Sequence, residues 1–136
     1  MILVIDPDGT LIDPEFHDGL LLGIVLSPDG GDLTLLCRRV DGRDFSLALP
    51  RLVRLRADNF LEGNIIFGIS IYEGDSCPPE DVRWVWDYND EHAQQYLPKH
   101  MKDITDERWT LLKVTTSYGC ELVALSKAHA DEITVT

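Results

Sequence analysis

The stretch that decides the fold is Met1–Asp13, MILVIDPDGTLID. Ile2-Leu3-Val4-Ile5 is an apolar, largely β-branched run, and Thr10-Leu11-Ile12 is another. Between them stands Pro7-Asp8-Gly9. Proline presets φ, aspartate caps its own backbone, and glycine accepts a positive φ, so the three together are turn chemistry. The chain therefore doubles back on itself here, and Asp13-Pro14 ends the return strand because the residue before proline is held extended.

The same residues, VIDPDGTLID, resemble the first motif of the haloacid dehalogenase-like phosphohydrolases, a strand ending in Asp-x-Asp-Gly-Thr. The resemblance implies Asp6 as nucleophile, Asp8 as general acid/base, and a Mg²⁺ cofactor. IIFGISIYEGDSCPPED resembles the acidic motif of that family and would put Asp75, with Glu80 or Asp81, on the metal. Two features of the chain oppose it. The family holds its phosphate with a lysine between these motifs, and no lysine precedes Lys99. A parallel sheet needs crossovers of a dozen or more residues, usually helical, whereas residues 10–72 offer short strands joined by turns. A calcium loop on Asp6, Asp8 and Asp13 lacks the closing bidentate glutamate such loops use.

The rest of the chain continues the pattern. Apolar runs at 19–26, 33–37, 45–49, 53–55 and 65–71 are separated by Ser27–Asp32, Asp41-Gly42 and Pro50. Ile65, Phe67, Ile69 and Ile71 alternate with smaller or polar neighbours and predict one face of a strand. Residues 111–116, 122–126 and 133–135 predict three closing strands. Asn89-Asp90-Glu91 caps a short helical insertion near 89–103, of one or two turns because Pro98 interrupts it. The expected fold is mainly β, an antiparallel meander in a curled sheet, sandwich or partly open barrel, forming one domain over residues 1–136.

Twelve Lys+Arg against 24 Asp+Glu give a formal charge of −12. Such a chain repels phosphate backbones and anionic lipid, which excludes nucleic acid and membrane surfaces as partners and points to a protein partner or a homo-oligomer. The absence of a basic segment before the first apolar run, of a long apolar span and of paired cysteines predicts a cytoplasmic protein. Cys37, Cys77 and Cys120 read as small buried hydrophobes, and Glu121 raises the Cys120 thiol pKa. Residues 38–56 hold six arginines and two aspartates, a net of +4, leaving −16 on the remainder. Pairing of these arginines with acidic neighbours across strands is expected. His17, His92 and His100 lack zinc-ligand spacing and read as turn or surface residues. Trp84, Trp86, Tyr88, Tyr96 and Trp109 read as a lid over the core.

FHDGLLLGI, LRADNFLEGNIIF and TTSYGCELVAL together resemble a group of small acidic bacterial proteins without assigned activity. The resemblance covers roughly 16–126 and implies a β-rich domain without catalysis. By analogy with immunity and accessory proteins of this kind, it implies protein binding. Its polar positions, His17, Asp18, Asn59, Glu62, Asn64 and Tyr118, are the candidate binding residues. Asn59 and Asn64 flank Glu62-Gly63 and fit a turn with positive φ.

Overall fold

The structure is a computed structural model and describes residues 2–136. Its first element is the hairpin. Strand β1 (Val4–Ile5) lies antiparallel to β2 (Leu11–Asp13). Asp6 closes the turn, with Oδ1 accepting the amides of Asp8 and Thr10, each at 2.9 Å. Gly9, at φ +91°, donates to the Asp6 carbonyl at 3.0 Å.

Eight further strands follow: β3 (Leu20–Leu26), β4 (Leu33–Arg38), β5 (Asp44–Leu49), β6 (Leu52–Asp58), β7 (Asn64–Glu73), β8 (Thr110–Tyr118), β9 (Glu121–Ser126) and β10 (Thr134–Val135). They form one sheet in the order β10-β5-β4-β3-β7-β8-β9-β6, with every pairing antiparallel. The expected mainly β, antiparallel class is what the chain adopts, and the sheet is not closed into a barrel. Its halves meet at a narrow seam, because β3 pairs with β7 only at Leu20↔Ile65 and Leu21↔Asn64. Beyond Leu21 a bulge turns β3 away with β4. The hairpin fills part of the vacated β7 edge: Thr10 bridges Ser70, and the Ile71 amide donates to the Gly9 carbonyl at 2.7 Å.

Curling brings the two inner faces onto one apolar cluster. Leu33, Leu35, Leu47 and Leu49 come from one half; Ile69, Ile71, Leu112, Val114 and Leu122 come from the other. Pro50-Arg51 carries the chain from β5 straight to β6 at the far edge, and the Ser126 hydroxyl donates to the Pro50 carbonyl there.

A second cluster lies on the outer face of the β7-β8-β9-β6 half, under helices α1 (Pro79–Trp86) and α2 (Asp90–Glu107). Pro79 sits in the first turn of α1, where its missing N–H costs nothing. The Asn89 side chain caps α2 by accepting the His92 amide at 2.8 Å, as its sequence position predicts. The helical insertion falls where expected but is longer, since α2 runs 18 residues straight through Pro98. Pro98 is on the solvent side, as is Gln94, whose carbonyl loses its helical donor and is left to water.

Two sequence expectations change. Ile65 and Phe67 do not share the buried face of Ile69 and Ile71; they are exposed, and Ile66 is buried instead. A bulge shifts the β7–β8 register between Ile66 and Gly68 and resets the inside–outside alternation. His100 is not a surface residue either. Its ring stacks on Trp86 at 4.6 Å and its Nδ1 hydrogen-bonds the Tyr88 hydroxyl at 2.9 Å, and burial pushes its pKa below the usual histidine value. All three cysteines are free and buried, and burial pushes the Cys37 and Cys77 thiols up to about 12.

The hairpin's fit to β7 depends on Gly9, where an added Cβ would stand 2.6 Å from the Tyr72 ring. Gly9→Ala is expected to destabilise the protein by about 1–2 kcal/mol through the positive φ, with the urea midpoint falling at unchanged slope.

Candidate functional site

Antiparallel pairing places Asp44, Arg38, Leu20, Ile65 and Tyr118 in one row across five strands, on the outer sheet face beyond the helices. The bulge in β7 also leaves Phe67 exposed, two residues along the strand from Ile65. Phe67 is 60% exposed, Tyr118 47% and Ile65 37%. Single exposed apolar residues need no explanation, but contiguous ones on an ordered sheet do.

Phe67 is held from the side. His17 Nδ1 donates to the Phe67 carbonyl at 2.8 Å, and the two rings meet edge to face at 5.5 Å. The 16–19 turn is stitched into the bulge: the Asp18 amide, from a residue at φ +63°, donates to the Ile66 carbonyl at 2.9 Å. The Ile66 amide returns a bond to Gly19 at 2.8 Å. The bond to Phe67 and, next, the Asp18 carboxylate raise the His17 pKa. Ile12 and Glu15 line the same shallow hollow as His17 and Phe67.

On the other flank the Tyr118 hydroxyl donates to Glu62 at 3.2 Å, and the Glu62 charge raises the phenol pKa. Of the six candidate residues, His17 and Asp18 thus hold the Ile66-Phe67 segment, and Glu62 and Tyr118 pair with each other. Asn59 and Asn64 do something else. Asn59 takes the expected positive φ, at +63°, and its side chain donates to the Gly119 carbonyl. Asn64 lies in a strand rather than a turn and is 1% exposed. Its Oδ1 accepts the amides of Leu61 at 2.8 Å and Cys120 at 3.0 Å, and its Nδ2 donates to the carbonyls of Leu21 and Leu61. All four sites of the side-chain amide are used, so Asn64 shapes the surface and does not present itself on it.

The phosphohydrolase residues are not gathered in a comparable way. Asp6 spends one carboxylate oxygen on two backbone amides of the turn. Among the described residues, ligand atoms close enough to share a cation occur only in His129, Asp131 and Glu132, a set without Asp6, Asp8 or Asp75. There Glu132 already bonds Arg51 at 2.6 Å, and His129 Nδ1 contacts Arg108 at 2.9 Å. Asp81 is engaged by Lys113.

The sequence reasoning missed Phe67 as a surface residue and the Asp81–Lys113 pair. Gly68 carried the signal for the first, since a glycine inside a strand marks a bulge. The second joins residues 32 apart in sequence and left no local trace.

No family model and no curated protein matches this sequence. A crystal structure of an uncharacterized protein from Neisseria gonorrhoeae resembles the chain at TM-score 0.47 and 14% identity, over 88% of this chain and 91% of that one. No helix among the described residues is long and apolar enough to cross a membrane.

The different roles of the two polar groups set a direct contrast. Asn64→Ala is expected to cost about 3 kcal/mol or more, because it strands buried backbone donors and acceptors. Glu62→Gln is expected to stay within about 0.5 kcal/mol, as exposed substitutions do. Urea titration of the two variants side by side measures both.

Proposed function

We propose that this protein is a non-catalytic protein-binding domain whose contact surface is the helix-free sheet face around Ile65, Phe67 and Tyr118. Its partner is a basic polypeptide that places an apolar patch on Phe67. The observation that carries this is Phe67 itself, 60% exposed on a backbone fixed by a bulge and by the His17 bond. A rigid aromatic at the centre of a patch contributes large contact area at little entropy cost, which is how binding hot spots are built.

Charge favours a heterologous partner over a second copy. Glu15, Asp18 and Glu62 border the patch, and the whole chain carries −12. Two such surfaces repel, whereas a basic partner is steered in and neutralises the rim. The three thiols are buried and raised in pKa, so they supply no nucleophile. A small acidic cytoplasmic binder of this kind is suited to an immunity-type or accessory role, in which it masks a basic partner.

The test is to isolate the native complex by cross-linking in the source cells, identify the partner and titrate it by calorimetry. Phe67→Ser is expected to weaken binding about 30-fold, the loss of a hot spot worth ~2 kcal/mol. Rising salt is expected to slow association. Unchanged affinity in both Phe67→Ser and Tyr118→Ala, or a native protein that is monomeric and cross-links to nothing, overturns the proposal.

A further inference from the structure

Where the helical cover ends, α1, β8 and β9 enclose a cavity of about 240 Å³. Trp84 and Val123 give it apolar walls, and Glu80, Asp81, Glu121 and Lys113 bring charges to it. Asp81 is only 7% exposed. Its Oδ1 accepts from Lys113 Nζ at 2.9 Å, while Oδ2 has no hydrogen-bond partner among the described residues. Burial works against the Lys113 charge, but the bond to Asp81 and the surrounding negative groups outweigh it, so its pKa lies above the usual lysine value. Lys113 is therefore an ammonium already committed to Asp81. Glu80 and Glu121 form no ion pair among the described residues, although the Glu121 charge also acts on Lys113: Glu121 accepts only the distant Thr116 amide, at 3.4 Å.

We infer that this cavity receives a lysine side chain of the basic partner, its ammonium on the free oxygen of Asp81 and the carboxylates of Glu80 and Glu121. This rests on the protein being a binder of a basic polypeptide. The volume is below the range of ordinary small-molecule sites and suits one side chain. The Trp84 and Val123 walls cover an alkyl stem. Three separate carboxylates offering single oxygens match the three donors of a compact ammonium, whereas a flat guanidinium is best matched by both oxygens of one carboxylate in its plane. Position agrees as well. Lys113 and Tyr118 are five residues apart on β8, about 17 Å at strand rise, so one partner of ordinary interface size covers Phe67, Tyr118 and the cavity together.

The experiment titrates the ¹⁵N-labelled full chain with an acetylated, amidated Ala-Ala-Lys-Ala-Ala peptide, following the Trp84 indole and the Lys113, Glu121 and Val123 amides. Saturable shifts of these signals are expected, abolished when the lysine is Nε-acetylated and weakened about fivefold by Glu80→Gln or Glu121→Gln, the loss of one partly exposed charge pair. Both glutamates are on the rim, so these variants keep the fold; Asp81→Asn is avoided because it strands Lys113. No shift, or equal shifts with the acetylated peptide, overturns the inference. So does binding of 1,4-diaminobutane without binding of the peptide, since the cavity is then a site for free amines. The two proposals separate in the native complex. Affinity lost in Phe67→Ser but untouched in Glu80→Gln and Glu121→Gln removes the cavity and leaves the sheet face; peptide binding with a partner indifferent to Phe67 does the reverse.

Discussion

The side-chain amide of Asn64 ties together three segments, β3, the Leu61 loop and the start of β9, at the point where the sheet is narrowest. β3 pairs with β7 at only two residue pairs, and the backbone bonds of Ile66 to Asp18 and Gly19 extend the join by a single step. Asn64 reinforces the seam by bonding the Leu21 carbonyl across it, the Leu61 loop before it and the Cys120 amide at the start of β9. In a buried setting each bond is individually modest, but each unmade one carries the full cost of desolvation, so the set is held all together. Gly119, at φ +100°, makes room for it, because a Cβ there would stand 2.3 Å from Oδ1. A one-residue slip at this seam would turn every side chain of β7 over. The same amide therefore fixes which residues of β7 and β8 face outward.

The extent to which this was legible in the sequence follows from where the determining contacts lie. The opening hairpin was readable because Asp6, Pro7 and Gly9 settle the turn among themselves. The Asn89 cap, the left-handed Asn59 and the buried thiols were readable for the same reason: local chemistry decides them. Phe67 and Ile65 were misplaced because alternation assumes an unbroken ladder, and a single extra residue at the bulge inverts it. Asn64 has the local pattern of a turn residue because its partners, at 21, 61 and 120, converge only in the folded chain. Pro98 argues in the sequence for an interrupted helix of one or two turns, yet a proline whose freed carbonyl meets water is tolerated when Leu97, Met101 and Ile104 anchor the helix in the second core.

The arginines of the 38–56 segment find partners both inside the segment and far from it in sequence. Arg38 bonds both oxygens of Asp44, Arg43 bonds Asp41, and Arg51 reaches Glu132. These exposed pairs contribute little to stability individually. Arg54 and Arg56 act differently. Their guanidinium groups donate to the carbonyls of Val85 and Trp84 at the C-terminal end of α1, and they lie over the Trp86 and Trp84 rings at 5.3 and 4.2 Å. Positive charge at a helix C-terminus complements its dipole, so β6 clamps α1 to the sheet by electrostatics as well as by the apolar cluster beneath.

That clamp determines what remains open. Most arginines of the segment are engaged by carboxylates or by the end of α1, and the acidic character of the surface is strongest where no such pairing occurs. The helices cover the outer face only over β6, β9 and the adjoining ends of β7 and β8; the opposite ends, with Ile65, Phe67 and Tyr118, stay bare. Bare apolar surface with an acidic border on β7 and β8, and a cavity on β8 and β9 whose carboxylates outnumber its cations, therefore meet on one strand, β8. Each alone is ordinary in a protein this acidic. Their coincidence follows from one cause, the limited reach of a two-helix cover pinned at one edge of the sheet, and it is what makes this face the part of the molecule shaped for a partner.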